Sequence, residues 1–485
     1  MRRTLLLAAA CAVPALTAFA GTRHLLLDPA FAASSDGAAL HVNPPLRRDL
    51  VVRPDRPWEK LMISFYLSVL EEGGKIRMWY SVRDTPKTGG VAYAESTDGI
   101  HWATPELGLV EFEGSKANNR VNLGSSEGSV FRDDHATDPR QRYVYVCTVF
   151  KGGGAYRFHS PDGYHWERDP APLFPFEADS QNVTFWDAQL GRYVLFFRGW
   201  NISKPFGLGR KIVRTEADRI DRPLGIVSTG KGKAFKNEPE RDPLIVDELP
   251  TVLQCDDRDP PDTDIYTNAI QRYPLAPEWY VGFPAFYRHD TKSKLRNDGR
   301  TELQFIASRD GRTWQRYDRS TYVGPGFAGS ENANMVYLGP GMVIRGDEIW
   351  QFGTGYRTTH GNTPGRVERT DGAIYRYVQR VDGYVSLDFP STGAHALTAP
   401  VTVDGNALRL NLDTGALGEA RVGLKTEAGQ EIAGYGVNDC DEIQINATGA
   451  SVSWHGKTDL SSLRGKKVRM EISASRTKFY SLRFE

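Results

Sequence analysis

The chain has 485 residues, 40% of them hydrophobic and 25% charged, an ordinary globular composition long enough for two or three domains. Sixty Lys and Arg balance sixty Asp and Glu to a formal net charge of zero, which argues against long-range attraction to nucleic acid or to an anionic membrane surface. Four widely spaced cysteines, Cys11, Cys147, Cys255 and Cys440, give neither a disulfide framework nor a CxxC zinc pattern.

Residues 1–20 read as an export leader: Arg2 and Arg3, an apolar run, then Ala18-Phe19-Ala20 as a small-x-small cleavage site. Arg2-Arg3-Thr4-Leu5-Leu6 also fits a twin-arginine signal, so the expectation is a secreted or periplasmic protein exported by either route. No later stretch reaches the roughly 18 consecutive apolar residues that span a bilayer. Residues 21–57 form an N-terminal extension.

From residue 58 a unit repeats, with two β-branched and aromatic strand patterns, a third strand, and a turn of the form Ser-x-Asp-Gly-x-x-Trp. The turn occurs as Ser96-Thr97-Asp98-Gly99-Ile100-His101-Trp102, Ser160-Pro161-Asp162-Gly163-Tyr164-His165-Trp166 and Ser308-Arg309-Asp310-Gly311-Arg312-Thr313-Trp314. Its chemistry is that of a tight hairpin: Ser and Asp accept turn amides, Gly takes a positive φ, and Trp packs between sheets. Strand pairs fall at 61–70 and 76–83, 129–132 and 142–150, 183–186 and 192–200, 265–273 and 279–288, and 335–344 and 348–357. Five units repeated radially remove exposed sheet edges, and no sustained helical spacing interrupts them. The fold class is therefore all-β, a five-bladed β-propeller over residues 58–390, with a sixth blade left open if 36–58 hides a strand pairing. A parallel β-helix would show a shorter and more regular period. Short alternating strands between Gly and Asp turns make residues 391–485 a small β-sandwich, with Trp454 reading as core.

In a propeller the first strand of each blade lines the axis, so the segments leading into those strands nominate the site. They are polar: Asp179-Ser180-Gln181-Asn182 before blade three, Asp262-Thr263-Asp264-Ile265-Tyr266 into blade four, Glu331-Asn332-Ala333-Asn334 before blade five, and Glu127 and Asp133 in blade two. Carboxylates converging from several blades can supply an acid–base pair, one protonated carboxyl and one carboxylate serving as nucleophile or base. Glu331 is the expected general acid, with Asp179 or Asp264 as the second group; a turn-capping role is the alternative for each. The second strands end in cations, Arg83, Arg198, Arg288 and Arg357, with His360 just beyond. These are expected either to bind hydroxyls or a carboxylate, or to pair with the carboxylates just named. The substrate-binding set expected is Asn182, Arg83, Arg198, Trp200, Tyr266, Asn334, Arg357 and His360, with Trp200 offering an aromatic face for stacking. His360 has no second His at metal spacing, so no metal and no cofactor is expected, apart from a structural calcium ion left open.

The repeated turns and the C-terminal sandwich together resemble the five-bladed propeller glycosidases of the glycoside hydrolase families 32, 43 and 68 type, family 32 in particular, and a large group of exported bacterial proteins related to them. The resemblance implies a carbohydrate substrate, with Trp200 stacking on a sugar face, and cleavage of a poly- or oligosaccharide by paired carboxylates, one acid serving the leaving oxygen and the other acting as nucleophile or base. The chain departs from family 32 at the first-blade nucleophile, of which Asn43-Pro44-Pro45 and Arg53-Pro54-Asp55 are poor echoes. The family's Arg-Asp-Pro motif corresponds either to Arg241-Asp242-Pro243 or to Arg132-Asp133. A non-catalytic sugar-binding propeller and a polysaccharide lyase, in which arginines neutralise a uronate and Tyr or His takes the proton, are the competing readings. Oligomeric state is left open.

Overall fold

The computed structural model describes residues 22–85, 88–123, 127–149, 153–175, 178–200, 209–225, 249–362 and 370–485. The leader at 1–20 and Arg241-Asp242-Pro243 lie outside the described residues. The chain divides into two compact units, one of Leu26–Phe31 with Ala39–Asp388, the other of Ala32–Ala38 and Phe389–Glu485 with the segment ending at Leu25.

The larger unit is built from five antiparallel sheets taken in chain order. Blade one runs Met62–Glu72, Lys75–Arg83, Gly89–Ser96, Arg120–Val121; blade two Gly128–Arg132, Tyr143–Val149, Gly154–Ser160, Glu167–Arg168. Blade three runs Val183–Asp187, Arg192–Trp200, Arg210–Ala217, Thr251–Leu253, and blade four Thr263–Thr267, Ala285–His289, Gly299–Gln304, Thr321–Val323. Blade five takes Met335–Leu338, Glu348–Tyr356 and Ala373–Arg380, and its outer strand is Arg47–Val52. Each blade contacts the next, and blade five packs back on Met62–Glu72, which closes the ring. This is a five-bladed propeller.

Two details differ from the sequence expectation. The segment 36–58 makes no sixth blade: Arg47–Val52 pairs with Ala373–Arg380, with Val52 opposite Ile374 and Arg47 opposite Val378, so the two ends of the ring are joined in one sheet. The strands of blade four, expected to run unbroken over 265–273 and 279–288, are each split, and Gln271–Arg272, Tyr280–Gly282 and Ile306–Ser308 form a separate short sheet. Pro284 has no amide to give the ladder, and Ala269 adopts φ 43°, so neither strand can stay in register through these points.

The turns explain how neighbouring blades lock. In each, the Ser hydroxyl accepts the Gly amide (Gly99 to Ser96 2.9 Å, Gly163 to Ser160 2.8 Å, Gly311 to Ser308 2.9 Å), and one Asp oxygen accepts the next two amides. Gly163, at φ 81°, lies against the blade-one indole of Trp79, which donates to its carbonyl at 2.8 Å. Buried Arg77 reaches the Asp162 carbonyl from blade one, and Arg376 of blade five reaches the Asp98 carbonyl in the same way. Between blades one and two, Trp79, Tyr93, Tyr143, Tyr145 and Trp166 form one core cluster, and burying each such ring is worth about 1.5–3 kcal/mol.

The smaller unit has two antiparallel sheets. One orders Arg23–Leu25, Thr477–Phe484, Leu408–Asp413 and Asn446–Ser451; the other is built on Lys467–Ser475, paired with Ala394–Thr398 and Glu419–Thr426. Trp454 is 1% exposed, donates to the Val422 carbonyl at 2.9 Å and meets Tyr435 edge-on, so it is core.

Candidate functional site

In an antiparallel blade the starts of the first and third strands and the end of the second lie on one face. That face gathers Phe65, Tyr66, Glu127, Asp179, Arg198, Trp200, Arg210, Asp264, Tyr266, His289 and His360. Its wall is aromatic. Phe65 stacks on the His360 imidazole at 5.9 Å and 13°, and its ring lies 5.2 Å from Tyr337 and 5.0 Å from Tyr356. The first strand of blade one slips register between Ile63 and Leu67, and Phe65 and Tyr66 lie within that irregularity.

Tyr266 occupies the middle of the face. Its hydroxyl donates to His360 Nε2 at 3.0 Å, because His360 Nδ1 donates to the Asn297 carbonyl at 3.0 Å and fixes that tautomer. The Arg198 guanidinium lies over the Tyr266 ring at 4.4 Å and donates to its carbonyl at 2.9 Å, while Arg210 lies 5.2 Å from the same ring. Burial pushes the Tyr266 phenol up; Arg198 and Arg210 oppose that push, and Asp179 and Glu127 add to it. Burial likewise holds Tyr66 well above its ordinary value, with Tyr266, Glu127 and Asp179 reinforcing. Glu127 and Asp179 are thus both in electrostatic reach of both phenols.

Asp179 and Glu127 sit in contrasting surroundings. The Asp179 side chain is 41% exposed and lies 3.5 Å from Arg198, whereas Glu127 is 5% exposed as a residue. Asn182 ties the two segments: its amide donates to the Glu127 carbonyl at 3.2 Å, and its side chain to the same oxygen at 2.9 Å. The buried Asn182 therefore shapes the site from behind. Trp200 flanks the arginines, 5.8 Å from Arg198 and 5.1 Å from Arg210.

Asp264 is 1% exposed, with Arg210 Nη1 at 2.9 Å and His289 Nε2 at 3.2 Å on one oxygen. Burial would raise this carboxyl; Arg210 and His289 outweigh it and hold the group below the usual range. Its other oxygen is buried without a hydrogen bond. A second group lies on blade five, where Glu331 stands 3.4 Å from Arg53 and 3.3 Å from Arg357. Asn334 joins this group, donating to the Arg357 carbonyl at 2.5 Å and accepting from Arg300 at 2.7 Å. Arg83 is close enough to Tyr356 to act on its phenol and makes no ion pair among the described residues. Asp133 lies at the far end of its strand, where it accepts from Tyr193 at 2.6 Å, so it has no part in this face.

Arg210, His289, Tyr66 and Phe65 were not among the residues nominated from the sequence. Arg210 was findable: it begins a third strand, and third strands start on the same face as first strands. Among the described residues no group of three or more His, Cys, Asp or Glu side chains is arranged to hold a metal ion, and no helix is long and apolar enough to cross a membrane.

The fold and the polar face define the class, a five-bladed propeller with its candidate site on the face that carries the starts of the inner strands. No family model and no curated protein matches the sequence. Among solved structures the chain is similar to a glycoside hydrolase (16% identity, TM-score 0.42, covering 70% of this chain and 92% of that one). It is also similar to a thermostable family-43 glycoside hydrolase (11%, 0.40, 72% and 96%) and to an N-acetylgalactosamine deacetylase from F. plautii in complex with blood group B trisaccharide (14%, 0.41, 71% and 94%). At these scores the likeness decides nothing by itself, and the propeller assignment rests on sheet order and ring closure.

Proposed function

We propose that this protein is a carbohydrate-active enzyme that cleaves an O-glycosidic bond, with Asp179 and Glu127 as its carboxylate pair. The observation that carries this reading is that one solvent-reached carboxylate, Asp179, and one buried carboxyl group, Glu127, act electrostatically on the same two phenols, Tyr66 and Tyr266, while Asn182 of the Asp179 segment is bonded to the Glu127 backbone carbonyl. Glu127 serves as proton donor to the leaving oxygen, and Asp179, steadied by Arg198, as nucleophile or as base for water. Trp200 and Phe65 supply the apolar faces on which a sugar ring stacks. Asp264 and Glu331, candidates for chemistry by sequence, are each engaged by two cationic or basic side chains, and we assign them positioning roles: Asp264 holds Arg210 and His289, and Glu331 holds Arg53 and Arg357. Export through the segment at 1–20 belongs to the same proposal and suits a polymeric substrate.

One observation favours a second reading, β-elimination: Tyr266 is hydrogen-bonded to His360 and covered by Arg198 and Arg210. There the Tyr266 phenolate takes the C5 proton α to a uronate carboxylate, a C4–C5 double bond forms, and the bond from C4 to the bridging oxygen breaks, that oxygen leaving as an alkoxide that takes a proton from water. Burial keeps the Tyr266 phenol protonated, which weighs against this route. The test is release of reducing ends from a polysaccharide panel: Asp179→Asn and Glu127→Gln should each abolish release while keeping binding. Products with the ultraviolet absorbance of an unsaturated sugar would replace hydrolysis by elimination.

A further inference from the structure

Most arginines of the site face lie within 4 Å of a carboxylate: Arg198 with Asp179, Arg210 with Asp264, Arg53 and Arg357 with Glu331. Blade four breaks this pattern. Arg288 and Arg300 stand directly opposite each other on neighbouring strands, in register between Tyr287–Thr301 and His289–Gly299. Like charges at directly opposed strand positions repel and destabilise the sheet. Both side chains line a cavity of about 300 Å³, together with Lys292, Asp262, Asp290 and Thr359. His289, the partner of Asp264, also lines it, so the cavity adjoins the funnel.

Arg288, Lys292 and Arg300 against Asp262 and Asp290 leave an excess of one positive charge on this exposed rim. Asp290 turns one oxygen onto the amides of Lys292 and Ser293, at 3.0 and 3.1 Å. Among the described residues Arg288 and Lys292 make no ion pair, and the one side-chain hydrogen bond of Arg300 goes to the neutral Asn334. Three cations around one small cavity, two of them opposed across strands, form an arrangement that an anion relieves.

We infer that this cavity is an anion subsite, and that the saccharide bound in the funnel is acidic, presenting a carboxylate or a sulfate to Arg288, Arg300 and Lys292. Guanidinium groups match both anions with paired N–H donors. The volume lies at the small end of the roughly 300–1,000 Å³ of ligand pockets and suits a single sugar residue. The identification of the anion as part of a saccharide rests on the glycosidase reading of the funnel.

The test uses the full chain with three probes: polygalacturonate for the carboxylate, chondroitin sulfate for the sulfate, and neutral arabinan. Binding is read by affinity electrophoresis, cleavage by reducing ends, and folding by urea unfolding. Retention by one acidic polymer, weakened roughly tenfold by Arg288→Gln and weakened by added salt, with an unfolding midpoint equal to or above wild type, supports the subsite. Retention of polygalacturonate names the carboxylate; retention of chondroitin sulfate, which carries both a carboxylate and a sulfate, names the sulfate when polygalacturonate is not retained. An Arg288→Gln or Arg300→Gln protein that binds both acidic polymers as tightly as wild type overturns it, as does preferential binding of arabinan. Cleavage of arabinan without binding of either acidic polymer removes the subsite and leaves the glycosidase reading standing. Salt-sensitive binding of an acidic polymer with no cleavage of any of the three does the reverse. No binding at all overturns both.

Discussion

Replacing Asp264 by Asn separates a positioning role from a catalytic one. Asp264 and Arg210 are both almost fully buried, 2.9 Å apart. At an effective dielectric of about 20 their attraction is roughly 6 kcal/mol, against a desolvation penalty of several kcal/mol per ion. The pair as a whole is therefore close to neutral, while deleting the charge of one partner is expected to cost about 3–5 kcal/mol. Arg210 also faces Trp200, Tyr266 and Tyr287 at 5.1–5.2 Å, contacts worth about 0.5–2 kcal/mol, so the lower end applies. With a urea slope near 3 kcal/mol per molar, the unfolding midpoint should drop by about 1 M. Arg210→Gln combined with Asp264→Asn should recover part of that loss. Because Asp264 is held below the usual carboxylate range, its contribution is complete above about pH 4 and disappears as pH falls through its lower folded value; the Asn variant should lose that acid-sensitive part. An Asp264→Asn protein with a wild-type midpoint and no turnover would refute this reasoning and return Asp264 to the reacting groups.

Gly163→Ala places a methyl group 2.7 Å from Trp79 at φ 81°, whereas Gly153→Ala, at φ 80°, meets open space. Both should lose roughly 1 kcal/mol of stability to the strain an L side chain takes on in the left-handed region, and only Gly163→Ala a further 1–2 kcal/mol, read by urea unfolding. Tyr266→Phe removes the donor to His360 and should shift stability by no more than about 1–2 kcal/mol; a hydrolase keeps turnover within about tenfold, whereas elimination through Tyr266 stops. Burial pushes the Cys255 thiol up to about 12, and Cys147 and Cys440 are buried, so a thiolate-selective reagent at pH 8 should label these three cysteines only after denaturation.

The blades were legible because their determinants are local. Ser96, Asp98 and Gly99, with their two repeats, fix a turn through hydrogen bonds spanning two or three residues, and the strands between them carry β-branched and aromatic side chains. The outer strand of blade five was not legible as such. Arg47–Val52 pairs with residues more than 300 positions away, and nothing in RRDLVV names that partner. The same distinction holds in the site. Asp179, Arg198, Tyr266 and His360 fall where strand order alone puts them on one face. The partnership of Asp264 with Arg210 depends on how blade three meets blade four, which the residue types do not encode. Glu331 likewise looked like a free acid in sequence, and only the return of the N-terminal strand brings Arg53 to it.

The most direct measurement is reducing-end release from polygalacturonate, chondroitin sulfate and arabinan by wild type, Asp179→Asn and Glu127→Gln, with binding followed in parallel. The carboxylate-pair mechanism expects release by wild type and a loss of at least about a thousandfold in either variant with binding retained. Wild-type release that survives both substitutions would contradict it.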